Sequence, residues 1–265
     1  MNQREQFLVD NNLHGIYSLF SKWEQANVFE NDDFLLTLTN IDSLLFNGFF
    51  SKKSTDITAI DIDKIVATTN KPLSQLLYWE SPLAKTKADG LSNFTLVETC
   101  PEMYLSKRDL IKPNRFNQKV IVKTVTTKDE LNEFCHILKA GYGLTDKDHM
   151  GFLDFYQTIG VTSELTHYLG FVDDKAVSTV TAYIKDGVIG IYSVSTIENM
   201  RGQGIASSIM YQVLNKCFSS NNEALLCSSQ MGKHVYQSLG FKTVGYYKQY
   251  IYTLADKEKG KKQAA

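Results

Sequence analysis

The chain has 265 residues, 43% hydrophobic and 22% charged, with a formal net charge of −1. These values fit a globular protein with a sizeable core, as one large domain or two smaller ones. They exclude a basic nucleic-acid surface spread over the whole chain, and no apolar run reaches the ~18 residues of a membrane span, so neither nucleic acid nor membrane is an expected partner.

The first half reads as mixed structure. Gln6–Trp23 carries Phe7, Leu8, Leu13, Ile16, Tyr17, Phe20 and Trp23 at helical spacing. Phe34–Leu38 and Leu44–Phe50 read as two strands. Ile60–Thr69 reads as a helix, and Leu76–Trp79 and Phe94–Val97 as short strands. All four prolines, Pro72, Pro82, Pro101 and Pro113, fall between residues 70 and 115. The polar stretch Ser106–Lys119 is the expected connection between halves, giving an N-terminal lobe over 1–115, a second domain over 116–256 and a disordered tail over 257–265.

The second half is more regular. Val120–Val125 is an expected strand, followed by a helix over Asp129–Ala140 with Thr127 as its N-cap. Met150–Thr158 is a second expected helix. Three strands follow, Thr166–Val172, Ala176–Ile184 and Val188–Thr196, turned by Asp173-Asp174 and by Asp186-Gly187. An amphipathic helix over Gly204–Phe218 carries Ile205, Ile209, Met210, Val213, Leu214, Cys217 and Phe218 on one stripe. Strand Ala224–Ser228, helix Met231–Leu239 and a long strand region Phe241–Leu254 complete the chain. Phe94, Val97, Met103 and Leu105 can be laid on Phe241, Val244, Tyr250 and Tyr252, an echo that either reflects two related lobes or arises by chance between amphipathic strands.

The segment carrying chemistry is Val194-Ser195-Thr196-Ile197-Glu198-Asn199-Met200-Arg201-Gly202-Gln203-Gly204-Ile205-Ala206. A strand ends, a loop with two glycines follows and a helix begins. The first N–H groups of a helix have no partner within it, and the helix dipole places partial positive charge there. Gly202 and Gly204 let backbone approach a phosphate closely. A pyrophosphate across the N–H groups of Gln203 to Ala206 is the expected ligand, with Arg201 adding a charged contact or anchoring the loop. A Walker loop is excluded because Ile205 follows Gly204, and a dinucleotide fingerprint because position 207 is Ser. On spacing alone, a plain strand-to-helix turn stays open.

Arg201-Gly202-Gln203-Gly204-Ile205-Ala206 resembles the acetyl-coenzyme A loop of the GNAT superfamily of N-acetyltransferases, Arg/Gln-x-x-Gly-x-Gly/Ala. Val235-Tyr236-Gln237-Ser238-Leu239-Gly240-Phe241 resembles that superfamily's Tyr-x-x-Leu-Gly-Phe signature at the usual distance. Glu198 stands where many members have Pro, and Ser229 where many have Asn. The resemblance covers about residues 119–254 and implies an α/β fold, a central mostly antiparallel sheet flanked by helices. Residues 1–110 lack both motifs and vaguely resemble the degenerate first lobe of tandem members, with Pro101–Leu105 as its last strand.

The resemblance implies transfer of acetyl from acetyl-coenzyme A to a primary amine by direct attack. It implies cofactor contacts from Val194, Ser195, Thr196, Arg201, Gly202, Gln203, Gly204, Ile205, Ala206, Ser207 and Ser229. A backbone N–H near Val194 would serve the oxyanion, and Tyr236 would protonate the leaving thiolate. The general base stays open: Glu198, His167 and Glu164 are candidates by chain proximity only. Tyr246, Tyr250 and Tyr252 alternate onto one face of their strand and Tyr247 onto the other, lining an acceptor pocket or simply half-burying a strand. A small amine, a peptide or protein amine, and a non-catalytic acetyl-coenzyme A sensor all remain open, as do monomer and homodimer. Cys100, Cys135, Cys217 and Cys227 form no metal-ligand pattern. With a polar N-terminus, they suggest free thiols in a cytoplasmic, metal-free protein.

Overall fold

A computed structural model describes residues 3–69, 71, 73–160, 162 and 164–255; the expected tail over 257–265 lies outside them. The elements run α1 (Gln3–Ser18), β1 (Ala26–Glu30), β2 (Phe34–Thr39), β3 (Gly48–Ser51), α2 (Ile62–Ala67), β4 (Gln75–Glu80) and β5 (Phe94–Ser106). Then come β6 (Ile121–Thr124), α3 (Lys128–Tyr142), α4 (Asp146–Ile159), β7 (Leu165–Val172), β8 (Lys175–Lys185) and β9 (Val188–Thr196). The chain ends with α5 (Ile205–Cys217), β10 (Glu223–Cys227), α6 (Lys233–Gln237) and β11 (Lys242–Thr253). Among the described residues two compact units result: those up to Ile16 with Pro101–Gly245, and Tyr17–Cys100 with those from Tyr246 onward.

In the first of these units the strand order is β5-β10-β9-β8-β7-β6. All neighbours are antiparallel except β9 and β10, which are parallel. Both expected turns are tight hairpins with positive φ throughout: Asp173 and Asp174 at 49° and 60°, Asp186 and Gly187 at 51° and 76°. Turns of that hand match the twist of the paired strands. The α5 stripe is buried along its length, and Ile209, Met210, Val213 and Leu214 share a core with Val180, Ile189, Ile191, Ala224, Leu226 and Phe241. The helix is therefore fixed by burial of one face, the main source of stability for a short helix.

The starts of α3 and α4 follow from their caps. Thr127 accepts from the Glu130 N–H while Glu130 reaches back to the Thr127 N–H. Thr145 and Asp148 make the same reciprocal pair. This second box starts α4 at Asp146, four residues ahead of the expected Met150.

The other unit has strand order β1-β2-β3-β4-β11. Its core gathers Phe34, Leu36, Phe49, Tyr78, Tyr250 and Tyr252. Strand β1 lies outside the expected elements: its apolar residues are only Ala26, Val28 and Phe29, and it gains its place by pairing with β2 from Ala26↔Thr39 to Glu30↔Leu35. Tyr247, Tyr250 and Tyr252 of β11 take the structural role, while Tyr246 is exposed. The Tyr250 hydroxyl donates to Asp89 Oδ1 at 2.7 Å and that of Tyr252 to Asp63 Oδ2 at 2.8 Å. Tyr247 is fully buried, against Trp79.

Candidate active site

The site is built where β9 leaves its neighbour. Strands β9 and β10 pair only from Val188↔Glu223 to Gly190↔Leu225, so residues 191–196 run on without β10. In the same stretch β9 is bulged. Thr181 faces Tyr192 and Thr179 faces Ser195, leaving Ser193 and Val194 together opposite Val180. Ser193 has φ 50°, a left-handed conformation that a serine adopts only when its surroundings impose it.

Three side chains impose it. The Thr179 hydroxyl donates to the Ser193 carbonyl at 2.7 Å. The hydroxyls of Tyr156 and Ser193 lie 3.1 Å apart. The Tyr142 hydroxyl donates to the Val194 carbonyl at 2.9 Å. The bulge is thus held from β8, α4 and the end of α3, and it presents backbone polar groups along an edge that no described strand covers.

Past the bulge, Ser178 donates to the Ser195 carbonyl at 2.6 Å and the Ile197 N–H donates to the Val177 carbonyl at 3.0 Å. The loop into α5 then turns through Gly202, φ 75°, and Gly204, φ 74°. Among the described residues, the Ser208 N–H is the first of this helix to find a backbone acceptor, the Gly204 carbonyl at 3.1 Å. The N–H groups of residues 202–207 have none. Arg201, Gly202 and Gln203 are exposed, and Gly204 and Ala206 are partly so. A row of unpaired N–H groups on a left-handed turn at a helix start is a concave anion cradle.

Arg201 anchors the loop. Its Nε donates to the Thr196 carbonyl at 3.1 Å and its Nη2 to the Gly141 carbonyl at 2.6 Å. Ser207 is committed as well, its hydroxyl donating to the carbonyls of Arg115 at 3.2 Å and Gly204 at 3.1 Å. What Ser207 offers an anion is therefore its N–H.

Tyr236 lies on α6, its ring edge-on to Phe241 at 6.0 Å. Burial, and then the neighbouring Tyr142 phenol, hold its pKa well above the usual tyrosine value. The hydroxyl is consequently protonated at any working pH. Ser229 opens the turn into this short helix, its Oγ accepting from the Gly232 N–H at 3.2 Å.

The three base candidates part ways. Glu198 is exposed on the short turn before Arg201. Glu164 precedes Leu165, which pairs with Tyr183 and so, across β8, lies level with Gly190, ahead of the bulge on β9. His167 is enclosed by the rings of Phe134 and Tyr156. Burial pushes its pKa down to about 3, and Nδ1 is 2.8 Å from the Thr181 hydroxyl. It packs behind Tyr156 instead of facing a cleft. Tyr142, Tyr156 and Thr179 were not singled out in the sequence; two glycines flanking Tyr142 were the only local signal.

The acetyltransferase (GNAT) family model matches residues 131–241, from α3 through the start of the last strand. Residues 131–241 are a GNAT-family domain. Solved structures share the fold over most of the chain at low identity. A GCN5-related N-acetyltransferase from Kribbella flavida is 17% identical, with 93% of this chain and 97% of that chain covered and a TM-score of 0.63. A functionally unknown conserved protein from Staphylococcus epidermidis is 15% identical, with 89% and 98% covered and a TM-score of 0.66. A tandem GNAT protein from the clavulanic acid biosynthesis pathway is 7% identical, with 85% and 79% covered and a TM-score of 0.57. No curated protein matches the chain in sequence. The family match supports acyl transfer by this domain. Among the described residues no group of His, Cys, Asp and Glu could hold a metal ion. No described helix is long and apolar enough to cross a membrane.

Proposed function

We propose that the chain transfers acetyl from acetyl-coenzyme A to a primary amine in a ternary complex. The observation that carries this reading is the run of unpaired N–H groups over residues 202–207 at the end of a strand whose edge is free. The amides of 203–206 bind the diphosphate. The open edge at Val194–Thr196 pairs with the pantetheine arm as an added strand would. The thioester carbonyl then lies at the bulge, where a Val194 N–H stabilises the tetrahedral oxyanion. The amine attacks the thioester carbon, and the departing thiolate takes its proton from Tyr236. With both reactants held in line, most of the rate comes from orientation.

No disulfide joins the four cysteines, and three of them are buried, which supports a reducing, cytoplasmic setting. The 13-residue β5 and 12-residue β11 coincide with the two segments of the sequence echo, which supports a tandem origin with a degenerate first copy spanning roughly 1–115 before the acetyltransferase domain.

The test is release of coenzyme A thiol from acetyl-coenzyme A against a panel of small amines and peptides. Turnover with one class names the acceptor. Saturable binding of acetyl-coenzyme A with no thiol release from any amine makes the protein a sensor or scaffold instead.

A further inference from the structure

We propose that Tyr142 is a positioning residue for acyl transfer, the middle of a strut that runs from Arg201 through Gly141 to the carbonyl of Val194. The inference rests on the acetyltransferase reading of this cleft and adds to it a residue that neither motif contains.

The strut is continuous and made of single hydrogen bonds. Arg201 Nη2 donates to the Gly141 carbonyl at 2.6 Å. The next residue, Tyr142, donates from its hydroxyl to the Val194 carbonyl at 2.9 Å. Arg201 Nε donates to the Thr196 carbonyl at 3.1 Å, closing the ring on the same strand. Gly141 is pressed so closely on Ser195 that a Cβ there would overlap the serine hydroxyl. Gly143 ends α3 in the left-handed region at φ 65°.

The placement of Tyr142 matters because it is unusual. Tyr142 is 54% exposed as a residue, yet its phenol end is desolvated, which pushes its pKa up to about 12. What the residue supplies is one hydrogen bond to the peptide after the bulge and a hydroxyl beside Tyr236. Arg201, in turn, spends its guanidinium on two backbone carbonyls. Its place in the loop motif is then explained by the strut, and the diphosphate is left to the N–H groups. Binding of an anion at residues 202–207 tightens a loop that is tied, two bonds away, to the peptide at the reacting end.

Tyr142→Phe and Arg201→Gln, singly and together in the full chain, test this. For Tyr142→Phe, kcat is expected to fall about tenfold or more, the scale of loss from a small misplacement of reacting groups. The Kd for coenzyme A by calorimetry stays within about twofold. Arg201→Gln reproduces the kcat loss, and the double variant is no worse than the poorer single one, the mark of residues acting as one unit. Amide hydrogen exchange over residues 193–196 speeds up in both single variants, a readout that needs no turnover. Multiplying kcat losses, a Tyr142→Phe defect confined to coenzyme A affinity, or unchanged exchange over 193–196 overturns the proposal. A wild-type protein inactive on every amine overturns acetyl transfer, while the exchange measurement still decides the strut.

Discussion

Gly141 lies against Ser195 so tightly that a Cβ at position 141 would overlap the serine hydroxyl. A residue at the end of α3 is thereby locked to the strand that carries the bulge. Gly141→Ala is expected to destabilise the fold by about 1–3 kcal/mol through overpacking, read as a lower urea midpoint with an unchanged slope. Activity falls further than stability does, because the displaced parts are Tyr142 and Ser195.

Gly204 is constrained twice, by φ 74° and by the carbonyl of Arg115, which occupies the space where a Cβ would stand. Gly204→Ala should abolish measurable coenzyme A binding by calorimetry. Ser207→Ala is the control: its hydroxyl serves backbone carbonyls, and its N–H survives the change. Coenzyme A affinity should stay within a few-fold of wild type, on the order of 1 kcal/mol at most for one exchanged hydrogen bond.

Tyr236 is held protonated by burial and by Tyr142. A raised phenol pKa keeps the proton in place as pH climbs through 10.0, the ordinary value. The kcat profile should therefore show no alkaline fall from this group through about pH 9.5, within the stability range of the protein. Tyr236→Phe should lower kcat about 100-fold, at the low end for loss of a general acid. Coenzyme A affinity should be little changed. A variant with full kcat would remove Tyr236 from the mechanism.

Glu102 is fully buried, and neither of its side-chain oxygens has a hydrogen-bond partner. Burial, and then nearby Asp10, raise its pKa well above 4.5. Its side chain also faces Gly245 and Gln6. The folded chain holds this proton where the unfolded chain has lost it, so the folded state binds more protons above pH 4.5. Stability from this group is accordingly complete below that pH and declines as pH rises toward the folded pKa. Glu102→Gln should raise Tm at pH 7–8, with the gain shrinking to nothing by about pH 4. A gain independent of pH would mean that the carboxyl is not the cause.

The loop at 201–206 and both Asp turns were legible because their chemistry is local. Glycine spacing, a preceding strand and a following apolar stripe all lie within some twenty residues. The capping box at Thr145 was equally local, and its oversight explains the late start expected for α4. The grip on the bulge was not legible in the same way. Tyr142 meets Val194 across 52 residues of chain, and Tyr156 meets Ser193 across 37. Nothing in the sequence near either tyrosine marks that meeting. Ser193 looks like any strand residue until the register shift against β8 is seen. The tyrosines of β11 were ambiguous by alternation alone, and the acids that receive Tyr250 and Tyr252, Asp89 and Asp63, lie more than 150 residues upstream.

Strands β5 and β11 each start in one compact unit and finish in the other. No single cut in the polypeptide, therefore, liberates an intact half. A fragment beginning near residue 116 would lack Glu102–Ser106, which pair with β10, and Arg4, whose guanidinium grips Glu223 at the head of that same strand. β10 would be left with an unpaired edge, which invites association between molecules. Biochemistry on this protein calls for the uninterrupted polypeptide, and a recombinant second half that precipitates would reflect severed strands more than any want of catalytic parts.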